Sequence, residues 1–301
     1  MRASELAVVI PTRDRWRILE RTLEALAEQT AEGFETVVAV DGEDQTVPEG
    51  LSAVTVLRGP RGGPGAARNR GAEATDRPLL LFLGDDTVPT PGLVALHLES
   101  HRLHPEPEVA VLGRVEWHPD VADDRLSRWL DWSGSQFEYA VLGARPLDDV
   151  GYGRLYASNV SIKRAVFIDA GGFDPDFRTA DYEDLDLGRR LHERGMRLRY
   201  EPGALAYHLH RYDWPAIERR YENRARAERV MAAKHDWFEP WFHRRITAYA
   251  SQPPVSGAWT AIADRAPGHP RRLRAWTRER ANRWYHQQLA PGFLGAWEET
   301  E

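Results

Sequence analysis

The segment Leu79 to Leu83 is apolar at every position and runs directly into Gly84, Asp85 and Asp86. A strand with no polar face has to be covered on both sides, as in the middle of a sheet that carries helices on both faces. Leu6 to Ile10, Thr36 to Val40 and Val54 to Leu57 read as buried strands of the same kind. Helical patterns separate them. The first places Trp16, Leu19, Leu23 and Leu26 on one stripe, and 65–75 and 91–104 read as two more, the second with Pro91 in a favoured first-turn position. This alternation predicts an α/β fold built on a Rossmann-like, mostly parallel sheet flanked by helices.

From Val109 to about Tyr156 the pattern weakens, with Trp117, Trp129 and Trp132 scattered among acidic residues. No element is assigned there; a loop region facing an acceptor is the expectation. Regular structure returns with Tyr156 to Lys163, a short helix from Arg164, a helix over about Tyr182 to Arg194, and strand-like segments at Arg197 to Tyr200 and Leu205 to His208. Beyond Tyr212 the composition shifts to arginine and tryptophan in helical patterns, interrupted at Pro253-Pro254 and at Pro267, Gly268 and Pro270. The expected division is a catalytic domain over 1–211 and a helical C-terminal extension over 212–301. Seven of the eleven tryptophans lie in the extension. They either pack its helices onto the catalytic domain or a second subunit, or form an interfacial surface for a lipid-linked acceptor.

Composition removes several function classes. A net charge of −6 argues against a general nucleic-acid binder, which needs a basic balance to neutralise phosphates. The absence of cysteine excludes disulfides, thiolate metal sites and a cysteine nucleophile, so any metal must sit on carboxylates or histidines. The first apolar run stops at Pro11, too early for a signal peptide, and no segment approaches the roughly 20 apolar residues that cross a bilayer. A cytoplasmic protein is expected, with peripheral contact at the inner face of the membrane left open.

Five groups of residues could carry chemistry. Asp85 and Asp86 follow a buried strand, and in open α/β sheets ligands bind beyond the carboxyl ends of the strands. One of these acids could instead cap the turn before Pro89. Asp41, at the end of the second strand, could accept hydrogen bonds from a base or ribose, or simply form an Asp-Gly turn. Gly62 to Gly71, GGPGAARNRG, fails the dinucleotide fingerprint because Arg68 stands where the last glycine belongs. Its glycines suit either close backbone approach to a ligand or packing, and Arg68 either a phosphate or a carboxylate. Asp181, Glu183 and Asp184 open a helix, where acids are electrostatically favoured anyway. Asp184 is in line with Leu187 and Leu191, which predicts that it shares their buried face and needs a partner or a purpose there. His208 and His210 alternate along an extended segment, so at most one is expected to face a site.

In this order the pieces resemble the inverting glycosyltransferases of family 2, which have the GT-A fold. The resemblance covers about Leu6 to His208. VVIPTRDR is similar to the family's opening strand and nucleotide-contacting loop, with Pro11, Thr12 and Arg13 in matching places. It implies that Asp41 contacts the nucleobase or ribose and that Arg68 lies against the donor. LLLFLGDDTVPTPG resembles the family's aspartate-any-aspartate metal motif, with the departure that Gly84 stands where the first aspartate is frequent. The resemblance implies Asp86 as the direct metal ligand, with Asp85 on the donor. YEDLDLGRRLHERG and YEPGALAYHLH resemble the acceptor half and imply Asp184 as general base, Glu183 as its companion and His208 as a further metal ligand.

The implied activity is transfer of a sugar from a nucleotide diphosphate sugar, uridine being the family's habit, to a hydroxyl on a glycan, glycolipid or lipid-linked acceptor. Mn2+ or Mg2+ would compensate the diphosphate charge, an imidazole ligand tilting the choice toward manganese. Homo-oligomerisation through the C-terminal helices is left open. Two rival readings are a nucleotidyltransferase or sugar-nucleotide pyrophosphorylase and a catalytically inactive sugar-binding protein. The first needs a glycine-rich basic loop after the first strand, where Pro11 stands; the intact Asp85, Asp86, Asp184 and His208 speak against the second.

Overall fold

The computed structural model describes residues 1–44, 46, 48, 53–136, 139–265 and 270–299; the expected break at Pro267 and Gly268 lies outside them. In chain order the elements are β1 (Leu6–Thr12), α1 (Trp16–Ala27), β2 (Glu35–Asp41), β3 (Thr55–Gly59), α2 (Gly63–Glu73), β4 (Leu79–Leu83), β5 (Thr87–Pro89) and α3 (Leu93–Leu103). Then come β6 (Val109–Trp117), α4 (Pro119–Ala122), α5 (Arg125–Ser133), α6 (Tyr139–Leu142), β7 (Asn159–Lys163), α7 (Arg164–Asp169), α8 (Glu183–Glu193) and β8 (Arg197–His208). Four helices follow: α9 (Trp214–Lys234), α10 (Trp241–Ala250), α11 (Ala258–Asp264) and α12 (Arg271–Glu298). They divide into two compact units, residues 1–118 with 138–210, and residues 119–137 with 211–301.

In the first unit the strands form one sheet in the order β3-β2-β1-β4-β7-β6-β8-β5. The β1–β2, β1–β4, β2–β3 and β6–β8 pairs are parallel; β7 runs antiparallel to β4 and β6, and β5 antiparallel to β8. The mostly parallel α/β sheet expected from the apolar runs is present. β1 and β4 are buried along their whole length because helices cover both faces, which explains their uninterrupted apolar sequence.

Several elements differ from the expectation. The run after Val54 forms β3, which is the edge strand and is only partly buried. The unassigned stretch from Val109 begins with a nine-residue inner strand, β6. Its signal is an apolar half, Val109 to Leu112, joined through Gly113 to a half that carries Arg114 and Glu116. A Cβ at Gly113 would stand 2.3 Å from Asn159 Nδ2 and 2.5 Å from the Ala204 carbonyl oxygen, so only glycine fits where the β6–β8 register shifts. β8 is continuous through Pro202 and Gly203, opposite that shift, where the sequence suggests two segments.

Helix α3 is tied to β7 by buried polar groups. His97 Nδ1 and His101 Nε2 each lie 2.8 Å from Ser161 Oγ, and His97 Nε2 lies 3.0 Å from Asn159 Oδ1. Lys163 Nζ stands 3.2 Å from His101 Nδ1. Burial holds both imidazoles neutral, His97 down at about 4 and His101 at about 2.

The second unit is helical and is organised around α12, whose inward residues include Thr277, Ala281, Tyr285, Leu289 and Phe293. Trp129 of α5 stacks on Tyr285 at 4.2 Å between ring centroids and donates from Nε1 to Asn282 Oδ1 at 3.0 Å. Glu228, fully buried on α9, accepts the backbone N–H groups of Phe242 and His243 at 2.8 Å each and so caps the first turn of α10. The tryptophans of this unit take two roles. Trp214 and Trp284 pack at 5.9 Å, whereas Trp237, Trp241 and Trp276 remain 40%, 47% and 47% exposed. Among the described residues no helix is long and apolar enough to cross a membrane.

Candidate functional site

The acids after β4 sit in a turn closed by the Thr87 N–H on the Gly84 carbonyl at 3.2 Å. That turn lets two adjacent aspartates converge. β5 then pairs with β8 so that Thr87 faces His208, and the Leu209 N–H donates to the Asp86 carbonyl at 2.8 Å. The pairing carries His208 Nε2 to 3.5 Å from Asp86 Oδ2. Trp117 packs edge-on against the His208 ring at 5.1 Å and limits its rotation.

His210 also faces this point, its Nδ1 3.9 Å from the same Asp86 oxygen. The alternation rule that sent it to the other side fails because β8 ends at His208, and beyond a strand's last residue the two-residue period no longer applies. Gly84 has an equally local cause. A Cβ there would lie 2.6 Å from Thr87 Oγ1 and 3.0 Å from Asp86 Oδ1, so the place where the related motif carries aspartate has no room for a side chain.

Thr12, at the end of β1, donates from Oγ1 to Asp85 Oδ2 at 2.8 Å, and Thr22 Oγ1 donates to the Asp85 carbonyl at 2.9 Å. Arg15, which the sequence reading did not single out, donates from Nε to Asp85 Oδ2 at 3.1 Å and from Nη2 to Asp85 Oδ1 and, at 2.9 Å, to Asp86 Oδ2. The only hint in the sequence is an arginine shortly after an opening strand. Burial pushes the Asp85 carboxyl up against the pull of Arg15. Burial acts on Asp86 in the same direction, but His208, Arg15 and His210 together outweigh it and hold that carboxyl well below the usual range.

Pro11 is buried in β1 opposite Ala39. Arg13 is half-exposed, with Nη1 4.0 Å from Asp41 Oδ2. Asp41 Oδ1 accepts the N–H groups of Gly62 and Gly63 at 2.7 and 3.1 Å, so this carboxylate caps α2. Gly63 has φ +86°, and a Cβ there would meet the Arg178 carbonyl oxygen at 2.4 Å. Of the two roles open to these glycines, close packing is the one seen at Gly63.

Arg68 projects from α2 into the interior, where Nη1 donates to Glu183 Oε1 at 3.2 Å and the guanidinium lies 5.4 Å from the centre of the Phe173 ring. It has the carboxylate as its partner. Glu183 and Asp184 open α8 just after Asp181 and Tyr182, which have φ of 89° and 69°. Left-handed backbone at two consecutive residues with side chains is costly, and the surrounding packing has to maintain it. Burial and then Asp184 push the Glu183 carboxyl up to about 8 in spite of Arg68; burial and then Asp181 push Asp184 to about 6.

Asp184 lies at the margin of the buried face of α8. Asp184 is half-buried and its Oδ1 accepts the Leu185 N–H at 2.9 Å, whereas Asp186 is the fully buried acid, paired with Arg190 at 2.6 Å.

Two chemical capacities follow. Asp86 and His208 present a hard oxygen and an imidazole nitrogen to one point. Among the described residues no set of three or more His, Asp or Glu side chains is disposed to hold a metal ion unaided. The pair fits an ion that takes its remaining ligands from phosphate oxygens and water, a habit of magnesium and manganese sites on nucleotides. That a guanidinium already rests on Asp86 Oδ2 shows that the point accommodates positive charge. Asp184, titrating near 6, can accept a proton at neutral pH.

The model of Glycosyl transferase family 2 matches residues 7–160. Validoxylamine A glucosyltransferase of Streptomyces hygroscopicus subsp. jinggangensis (strain 5008) is 32% identical over 225 residues, which cover 64% of this chain and 52% of that protein. Pre-mycofactocin glycosyltransferase of Mycobacterium tuberculosis (strain ATCC 25618 / H37Rv) is 34% identical over 228 residues, covering 70% and 45%. The chain thus spans about half the length of these relatives. The mannosyltransferase PcManGT of Pyrobaculum calidifontis, solved with GDP-Man and Mn2+, superposes with a TM-score of 0.59 at 15% identity over 98% of this chain and 88% of that one, a likeness of fold.

Proposed function

The chain belongs to glycosyl transferase family 2, and from that premise we propose that it is an inverting transferase that moves a sugar from a nucleotide diphosphate donor, uridine diphosphate by family habit, onto a hydroxyl of a glycan, glycolipid or lipid-linked acceptor. The observation that carries this reading is the convergence of His208 and His210 on Asp86 Oδ2 at the carboxyl end of β4.

In this reading Asp86 and His208 hold a divalent ion, manganese or magnesium, whose charge, when bound, stabilises the departing diphosphate. Thr12 and Thr22 fix Asp85 beside the donor. Pro11, Thr12 and Arg13 line the nucleotide loop. Asp41 and Arg68 support the pocket, Asp41 by capping α2 and Arg68 by facing Glu183. Asp184 takes the proton of the acceptor hydroxyl as that oxygen attacks the anomeric carbon opposite the phosphate, which inverts its configuration. Glu183, held protonated by burial, keeps a second negative charge away from Asp184 at neutral pH. The exposed arginine and tryptophan face of α12 would rest on an anionic membrane surface and bring the enzyme to a lipid-linked acceptor. The catalytic part of the reading is the first unit, with the helices after Tyr212 as an extension.

Thermal-shift measurements against UDP-, GDP- and TDP-sugars, each with and without Mn2+, test it. One donor is expected to raise the melting temperature only when the ion is present. Failure of every sugar nucleotide to do so would remove the proposal.

A further inference from the structure

Arg15 is bonded to both acids of the site, and its contacts are incompatible with a divalent ion in the same place. Nη2 is bonded to Asp86 Oδ2 at 2.9 Å, the oxygen that His208 Nε2 faces at 3.5 Å, while Nε holds Asp85 at 3.1 Å. Nη1 donates to His210 Nδ1 at 3.0 Å. An ion seated about 2.1 Å from that oxygen would face the guanidinium at a separation where two positive charges repel strongly. Without any cation, two adjacent buried carboxylates would be left uncompensated, which is costly. The Arg15 side chain retains 32% exposure, so it can swing outward without opening the core.

We propose that Arg15 is a built-in counter-ion of the donor site, holding both Asp85 and Asp86 while no donor is bound and releasing Asp86, but not Asp85, to an ion that arrives on a nucleotide diphosphate. The inference rests on the metal role proposed above for Asp86. It has an ordered consequence. A bare ion must evict Arg15 and leave its charge without a partner on that side, whereas an ion carried by a diphosphate brings the anion that receives the released guanidinium. Free Mn2+ therefore binds weakly, and the nucleotide raises its affinity.

The test follows Mn2+ binding by the loss of the free-ion electron paramagnetic resonance signal, with Mn2+ alone and with UDP or GDP in separate titrations. Wild type, Arg15→Gln, Arg15→Lys and Asp86→Ala are compared, with Arg15→Met as the neutral variant should the glutamine form not fold. The neutral variant is expected to bind bare Mn2+ at least tenfold more tightly than wild type and to gain less from nucleotide, and Arg15→Lys to stay within a few-fold of wild type. Bare-ion affinity that is unchanged or weaker in the neutral variant overturns the counter-ion role, and the metal reading stands if Asp86→Ala still abolishes nucleotide-assisted binding. Unchanged Mn2+ binding in Asp86→Ala overturns the metal reading, and the counter-ion role with it.

Discussion

Arg68 Nη1 reaches Glu183 Oε1 at 3.2 Å but makes no such bond to Asp184, the next residue. The guanidinium lowers both carboxyls of the pair, but burial, joined by Asp184 at Glu183 and by Asp181 at Asp184, outweighs it, so Glu183 is pushed up to about 8 and Asp184 to about 6. Separation of this kind assigns different protonation states to neighbouring acids at one pH.

The rate of transfer should fall as pH drops below about 6, because Asp184 must be ionised to accept a proton and its carboxyl is raised to that value. Asp184→Asn should lower kcat about 10²- to 10⁴-fold, or roughly 3 to 5 kcal/mol in the barrier, with donor affinity near wild type. A kcat profile from pH 5 to 8 at saturating donor checks both. A profile flat through pH 6, or a variant within a few-fold of wild type, moves the base elsewhere. Asp186→Asn is no neutral control, since Asp186 is buried against Arg190 and its loss should cost stability.

Chelation should abolish transfer, and Asp86→Ala should weaken nucleotide diphosphate binding in Mn2+ while changing it little in its absence. Calorimetric titration with the diphosphate under both conditions reads the difference. Full turnover in excess chelator would contradict the role given to Asp86 and His208.

Stability should decline as pH is lowered from about 6.5 toward 4. An unfolded chain protonates its histidines near 6.5, whereas burial holds His97 near 4 and His101 near 2, so their contribution is complete above 6.5 and drains away below it. Thermal melts between pH 7.5 and 4.5 should show this, and a His97→Gln, His101→Gln double variant should have a shallower dependence. Equal slopes for the two proteins would locate the acid sensitivity elsewhere.

The exposed face of α12 should bind anionic membranes. Leu273 and Trp276 are 43% and 47% exposed, and Arg280 stacks on Trp276 at 4.3 Å. Between 271 and 283 the helix carries six arginines and one glutamate, so its charge matches such a surface. Flotation with vesicles rich in phosphatidylglycerol should recover the wild type and lose most of a Trp276→Ala, Arg271→Ala, Arg272→Ala variant. Recovery from neutral vesicles alone, or none at all, would refute the membrane role.

The apolar runs at β1, β2 and β4 were legible because strands buried on both faces leave no polar position to blur them. β6 was not, since half of it carries charge and its glycine answers to Asn159 and Ala204, residues far away in the chain. At the site, residues placed by a strand end, such as Asp85, Asp86 and His208, could be picked out. Arg15 could not, and His210 could be named but not placed at the site, because their positions depend on contacts across about 70 and 195 residues. The backbone that introduces Asp184 was hidden as well: Asp181 and Tyr182 take left-handed conformations that nothing in those two residue types announces.

The crowded turn at Gly84 bears on how such a site can change over evolutionary time. An aspartate here would have to push the Thr87 hydroxyl aside, since its Cβ would stand 2.6 Å from Oγ1, so gaining the aspartate-any-aspartate pattern asks the neighbours of Gly84 to move as well.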